Sequence, residues 1–153
     1  MQKSRTAFTM IELIFVIVIL GILAAVAIPK LSATRNDAEV SKMAQNIMTG
    51  LAEISTYAVS QAQTESNLSK MSNAIAFLEK SGEAVIDKDE KKATVKVGAV
   101  SDCITVQVQT GDYDDNLTIS TGDAGGDYKC NEIQTIIDVS RYPMRLRGTN
   151  VKY

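Results

Sequence analysis

The chain has 153 residues, a formal net charge of −2, a pI near 5.2, no histidine, no tryptophan and two cysteines. It lacks the clustered Lys and Arg of a nucleic-acid groove, and without histidine neither His-based catalytic triads nor the usual His-containing zinc sites can be built. With the apolar head set aside, about 125 residues remain, enough for one compact domain.

A short leader, residues 1–7, carries Lys3 and Arg5 and runs into "FTMIELIFVIVILGILAAVAI", residues 8–28, whose only charge is Glu12. At ~1.5 Å rise per residue this run spans roughly 30 Å, the thickness of one hydrocarbon core. An ionised carboxylate there costs about 3 kcal/mol, so Glu12 needs either a partner or a place among the headgroups. Two targeting readings stand on these residues: a membrane-inserted helix, or a secretory signal cleaved after the small-x-small "AVA" at 25–27. Lys3 and Arg5 before the run are matched by Lys30 and Arg35 after it, so the distribution of positive charge gives no orientation. Gly21 and Ala25 form a small-xxx-small pair that lets two helices approach closely. Pro29 removes one backbone hydrogen bond and predicts a kink or a local end; the helical pattern resumes beyond it, which favours the kink.

Apolar residues then recur as Val40, Ala44, Ile47, Leu51, Ile54 and Ala58, with polar side chains filling much of the rest. That spacing predicts an amphipathic helix, continuous with the apolar one, to about Gln61. "TESNLS" (64–69) is a polar break, and Leu68, Met71, Ile75 and Leu78 predict a second helix over about 68–81. "DKDEKK" (87–92) reads as a solvated turn. Period-two alternation follows: Val95 and Val97, then Ile104, Val106 and Val108, then Leu117 and Ile119, an antiparallel meander over about 93–120. In the C-terminal segment 130–153, "NEIQTIIDV" fits a short helix or an edge strand, the helix being favoured, and "TNVKY" is read as a final short strand. The predicted fold class is α+β, a long N-terminal helix whose second half packs its stripe on a small antiparallel sheet.

Cys103 and Cys130 both lie beyond the apolar run. If that run carries the rest of the chain out of the cytoplasm, a disulfide is the default reading, worth about 3 kcal/mol. Between them "DYDDNLTISTGD" (112–123) offers Asp112, Asp114, Asn116 and Asp123 at the first, third, fifth and twelfth places of a calcium loop. Leu117 stands where that loop needs glycine, the last ligand is Asp rather than Glu, and the strand pattern competes. A solvated acidic hairpin without a cofactor is therefore the preferred reading, with calcium as the alternative. No paired carboxylates, nucleophile–base arrangement or phosphate loop stands out, so nothing points to an enzyme.

"AFTMIELIFVIVILGILAAVAIPK" resembles the N-terminus of type IV pilins and of the pseudopilins of type II secretion systems. The resemblance covers roughly residues 1–60 and is most specific over 7–30. It rests on the basic leader, Phe-Thr-x-Ile-Glu, the aliphatic run with Gly21, and Ile-Pro at 28–29. It implies cleavage by a prepilin peptidase on the cytoplasmic side between Ala7 and Phe8, then N-methylation of Phe8; Ala7 stands where the family usually has glycine. It also implies that Glu12 meets the N-terminal amine of a neighbouring subunit. Two opposite charges ~4 Å apart at an effective dielectric near 20 attract by about 4 kcal/mol, comparable with the cost of burying the carboxylate. Cleavage creates that amine and so acts as the switch for assembly.

The same resemblance implies a pilin-like fold divided as leader 1–7, transmembrane and filament-core helix 8–28, and periplasmic headpiece 29–153. The subunit would cross the bacterial inner membrane once, N-terminus cytoplasmic, and later enter a periplasmic or surface filament. Implied partners are pilin-like sister subunits, the prepilin peptidase and an inner-membrane assembly platform; the acidic headpiece argues against direct nucleic-acid contact. Many pilins staple a C-terminal loop with a disulfide, major type II pseudopilins commonly lack one, and secretion pseudopilins bind calcium near the C-terminus. The small acidic domain and the absence of an aromatic in "PKLSA" favour a pseudopilus of a type II secretion or transformation (competence) system, driving transport across the envelope. The alternatives are a type IV pilus pilin, serving adhesion, motility or DNA uptake, and a secreted binding module.

Overall fold

The computed structural model describes residues 8–111 and 114–146. In chain order they form α1 (Met10–Gln61), a 3-10 turn (Leu68–Lys70), α2 (Asn73–Lys80), β1 (Ala84–Asp87), β2 (Lys92–Val97), β3 (Val100–Thr110), β4 (Asp115–Thr121), α3 (Tyr128–Ile136), a second 3-10 turn (Val139–Arg141) and β5 (Met144–Arg145). The architecture is α+β and pilin-like, a long N-terminal helix with a small five-stranded antiparallel sheet. The chain divides into two compact units whose boundary falls between Ala38 and Glu39.

In the first unit α1 is long and apolar enough to cross a membrane, and its large apolar side chains from Phe8 to Leu31 are all exposed. Only a helix suits such a sequence in lipid, because it satisfies every interior backbone group within the segment. Pro29 lies inside α1 and does not end it. Its ring nitrogen has no proton for the carbonyl four residues back, but the apolar and then striped residues on either side keep helical geometry.

In the second unit the predicted stripe Val40, Ala44, Ile47, Leu51, Ile54 and Ala58 is buried throughout. It shares one core with Ile75 and Leu78 of α2, with Val95, Ile104, Val106 and Leu117 of the sheet, and with Ile133 of α3. Fully burying a side chain such as Ile47 or Ile54 contributes roughly 2 kcal/mol. Gly50 belongs to this face for a steric reason: a Cβ there would sit 2.8 Å from Ile75 Cδ1, so glycine lets α2 close onto α1.

One helix over 68–81 is predicted; the structure instead has a 3-10 turn and a separate α2. Asn67 caps the turn, and Ser72, extended at φ −146°, accepts the Ile75 N–H and restarts the helix. Both side chains compete locally for backbone donors, which interrupts the helix without disturbing the buried Leu68, Met71, Ile75 and Leu78.

The sheet is a meander in the order β1-β2-β3-β4-β5, every neighbouring pair antiparallel. It extends beyond the predicted 93–120 on both sides. β1 is too short for alternation to be read, and its last rung, Asp87 opposite Lys92, uses the two ends of the charged stretch read as turn. "TVKVGAV" holds the end of β2, a turn at Gly98 (φ 59°) and the start of β3. Gly98 accepts the left-handed conformation without the Cβ penalty other residues carry. Val95, Val97, Ile104, Val106, Val108 and Leu117 face the core, and Ile119 packs against it half-buried. The predicted helix after Cys130 begins earlier, at Tyr128, and the predicted strand "TNVKY" lies outside the described residues.

Candidate functional site

At the start of α1 the charge that stands out in the sequence is satisfied by its own chain. Thr9 occupies the N-cap position. Its backbone N–H donates to Glu12 Oε2 at 2.8 Å, its hydroxyl donates to the same oxygen at 2.7 Å, and the Glu12 N–H donates back to Thr9 Oγ1 at 3.3 Å. This reciprocal capping box satisfies donors that have no intrahelical partner, and the carboxylate lies where the helix dipole favours negative charge. Such a cap is worth about 1 kcal/mol in water. Thr9 is Glu12's partner within the chain, which the reading of Glu12 alone overlooks although Thr-x-x-Glu at 9–12 is a local signature.

Phe8, at the expected processing point, is 81% exposed, and Ala7 lies outside the described residues. No heavy atom lies within 4 Å of the place a Cβ would take on Gly21, so that face of α1 is open to another helix. The first unit thus presents an apolar helix, a small-residue notch and one carboxylate, held by Thr9, at its head.

The second unit is built for rigidity. Cys103 of β3 and Cys130 of α3 form a disulfide, both residues fully buried. Gln134 Nε2 donates beside it to the carbonyls of Cys103 (3.1 Å) and Gly122 (2.9 Å), clamping α3 to the sheet. Asp127 caps α3 by accepting from Cys130 N at 3.0 Å and also accepts from Ala99 N in the β2–β3 turn at 3.2 Å. Those N–H donors, Cys130 first and then Ala99, hold its carboxyl below the usual range. Glu53 of α1 accepts from Ala74 N at 3.0 Å and from the Ser72 hydroxyl at 2.7 Å, and its carboxyl is likewise lowered, the Ala74 N–H being the main cause. Asp115 is buried, with Oδ2 accepting from the Thr64 hydroxyl at 2.9 Å.

Of the four candidate calcium ligands, the three within the described residues are not gathered. Asp112 lies outside the described residues. Asp114 precedes β4 and pairs with Arg145 (Oδ2 to Nε 3.4 Å), and Asn116 is within β4 opposite Gln109 and Arg145. Asp123 follows β4 and accepts from Gly125 N at 2.9 Å. At about 3.3 Å per residue the six steps of β4 from Asp115 to Thr121 span roughly 20 Å, with Asp114 before that strand and Asp123 after it. Among the described residues no group of three or more His, Cys, Asp or Glu is placed to hold a metal ion. A surface cavity of about 340 Å³ is lined by Lys42, Lys96, Lys129, Glu39 and Glu83 among others, with Lys129 and Glu39 paired at 2.6 Å.

A family model described as the prokaryotic N-terminal methylation motif matches residues 2–28. No curated protein and no solved structure matches the chain. The matched residues take in the capping box, Gly21 and most of the exposed apolar stretch of α1.

Proposed function

We propose, for a chain whose methylation motif supports a type IV pilin-like or pseudopilin family, a mechanical role as a filament subunit. That motif belongs to a structural class rather than to enzymes, and it suggests prepilin-peptidase processing, membrane association and filament assembly. The finer reading is a subunit of a type II secretion or transformation pseudopilus, single-pass in the inner membrane with its headpiece in the periplasm. The peptidase cuts between Ala7 and Phe8 and methylates the new amine of Phe8. The observation that carries this reading is the pairing of motif and geometry: a lone carboxylate, Glu12, sits four residues after the proposed N-terminus at the head of an exposed apolar helix.

The capping box supplies the resting state. While the subunit waits in the membrane, Thr9 satisfies Glu12 and offsets part of the ~3 kcal/mol cost of burying it. On assembly, the amine of a neighbouring subunit approaches the same carboxylate, and an attraction of about 4 kcal/mol at an effective dielectric near 20 favours entry into the filament. Gly21 and Ala25 let the apolar helices approach, and Pro29 marks where the helix yields.

Intact and N-terminal mass spectrometry of the membrane-extracted protein tests this. A chain beginning at N-methylated Phe8 is expected, with Glu12→Ala processed but absent from filaments. A chain beginning at Ile28 overturns the filament reading and favours a secreted binding module. A type IV pilus pilin shares the same processing; it is favoured instead if the filaments carrying the subunit are long surface fibres that retract.

A further inference from the structure

Two stretches of the second unit carry the pattern Asn-x-Ser/Thr, Asn67-Leu68-Ser69 and Asn116-Leu117-Thr118, and each has a carboxylate two residues before the Asn, Glu65 and Asp114. Asn-x-Ser/Thr is the acceptor pattern for N-linked glycosylation, a bulky and solubilising surface modification. We propose that Asn67 carries an N-linked glycan, added once the headpiece has left the cytoplasm, an inference that rests on the export reading above.

The structure separates the two stretches. Asn67 lies in the connection between α1 and α2, half-buried, with extended backbone (φ −100°, ψ 109°). Its Oδ1 accepts the Ser69 N–H at 3.0 Å, which closes an Asx turn. That turn commits the carbonyl oxygen to the backbone and brings the carboxamide beside the residue that bears the hydroxyl. Nδ2 makes no hydrogen bond among the described residues. Leu68 is fully buried and pins the turn to the core, while Ser66 and Lys70 on either side are exposed. The Ser69 hydroxyl donates to Glu79 on the surface, a contact that water or a transferase can replace.

Asn116 has the same letters in a different place. It lies within β4, between Gln109 of β3 and Arg145 of β5, and the Thr118 hydroxyl donates to the Gln107 carbonyl at 3.1 Å. An extended acceptor can enter a transferase from here only if β4 gives up its pairing with both β3 and β5, a loss the connection holding Asn67 does not face. The folded headpiece therefore offers Asn67 and withholds Asn116.

The chemistry balances without redox change. Asn67 Nδ2 attacks the anomeric carbon of a lipid-diphosphate-linked sugar, so the N–C bond forms as the C–O bond to the diphosphate breaks. The diphosphate departs with the bonding pair, and one amide proton passes to a base of the transferase. The donor is a membrane lipid and thus resides where α1 is inserted.

Peptide mapping by mass spectrometry, on full-length protein purified from its own membranes, tests the proposal. Glycan is expected on the peptide containing Asn67, lost in Asn67→Gln and Ser69→Ala, and kept in Ser69→Thr. The same spectra report the N-terminus and the mass deficit of the bridged cysteines, which monitor export and folding independently of the glycan. A processed, bridged chain with bare Asn67, whether or not Asn116 is modified, overturns the proposal alone. An unprocessed chain with reduced cysteines overturns the export reading beneath it.

Discussion

Replacing Cys103 and Cys130 together by alanine measures how far the headpiece depends on its bridge. The cysteines are 27 residues apart in sequence. Closing a loop of that length removes unfolded-state entropy worth about 3.5 kcal/mol at 25 °C in the chain-entropy treatment. For a unit of about 115 residues, with an unfolding entropy near 2.1 cal/mol/K per residue, this lowers Tm by roughly 15 °C. Both residues are fully buried, so the lost sulfurs leave a small void that adds to the cost. Urea unfolding of the full-length chain in detergent, followed by tyrosine fluorescence, reads the second unit alone, because all five tyrosines lie at or beyond Tyr57. A loss below about 1 kcal/mol would refute the reasoning and show that the Gln134 and Asp127 contacts already restrain α3 as firmly as the bridge does.

Three further outcomes follow from the packing. Ile54→Ala, at a fully buried position, is expected to cost about 2–5 kcal/mol, whereas Met48→Ala on the exposed face of the same helix changes stability by less than about 0.5 kcal/mol; similar urea midpoints for the two would contradict the assigned stripe. Gly98→Ala combines a left-handed φ of 59° with a Cβ 2.6 Å from Asp127 Oδ2, and should cost at least about 1 kcal/mol in the same assay. Glu53 and Asp127 have folded pKa values held below their ordinary 4.5 and 3.8, so the stability they contribute is complete above those values and is lost as pH falls through the lower folded ones. Urea midpoints should therefore drop between about pH 5 and pH 3, and less steeply in Glu53→Gln; an unchanged slope in that variant would remove Glu53 from the account.

The features legible in the sequence are those whose cause is local. The apolar run of 8–28 needs no partner to be recognised, and the motif around Phe8 and Glu12 is contiguous. The stripe from Val40 to Ala58 shows because a helix repeats every 3.6 residues whatever it packs against. Alternation in β3 and β4 shows for the same reason at period two. What stayed hidden depends on residues distant in the chain. Glu53 caps a helix that begins 20 residues later, a relation with no sequence signature. Asp127 joins α3 to the β2–β3 turn, and the need for glycine at Gly50 comes from Ile75.

The sequence by itself determined the membrane-length helix, its lone carboxylate, the buried face of the amphipathic half and the two central strands, because propensity, periodicity and contiguous motifs act within a few residues. Only the tertiary structure decided that β1 and β5 flank the three expected strands of the meander, that Ser72 divides the second helix, that β4 lies between Asp114 and Asp123, and that Asn67 falls in the connection between the helices rather than in a strand. Those outcomes turn on which distant backbone groups and side chains share one desolvated core, and short-range pattern carries no record of that.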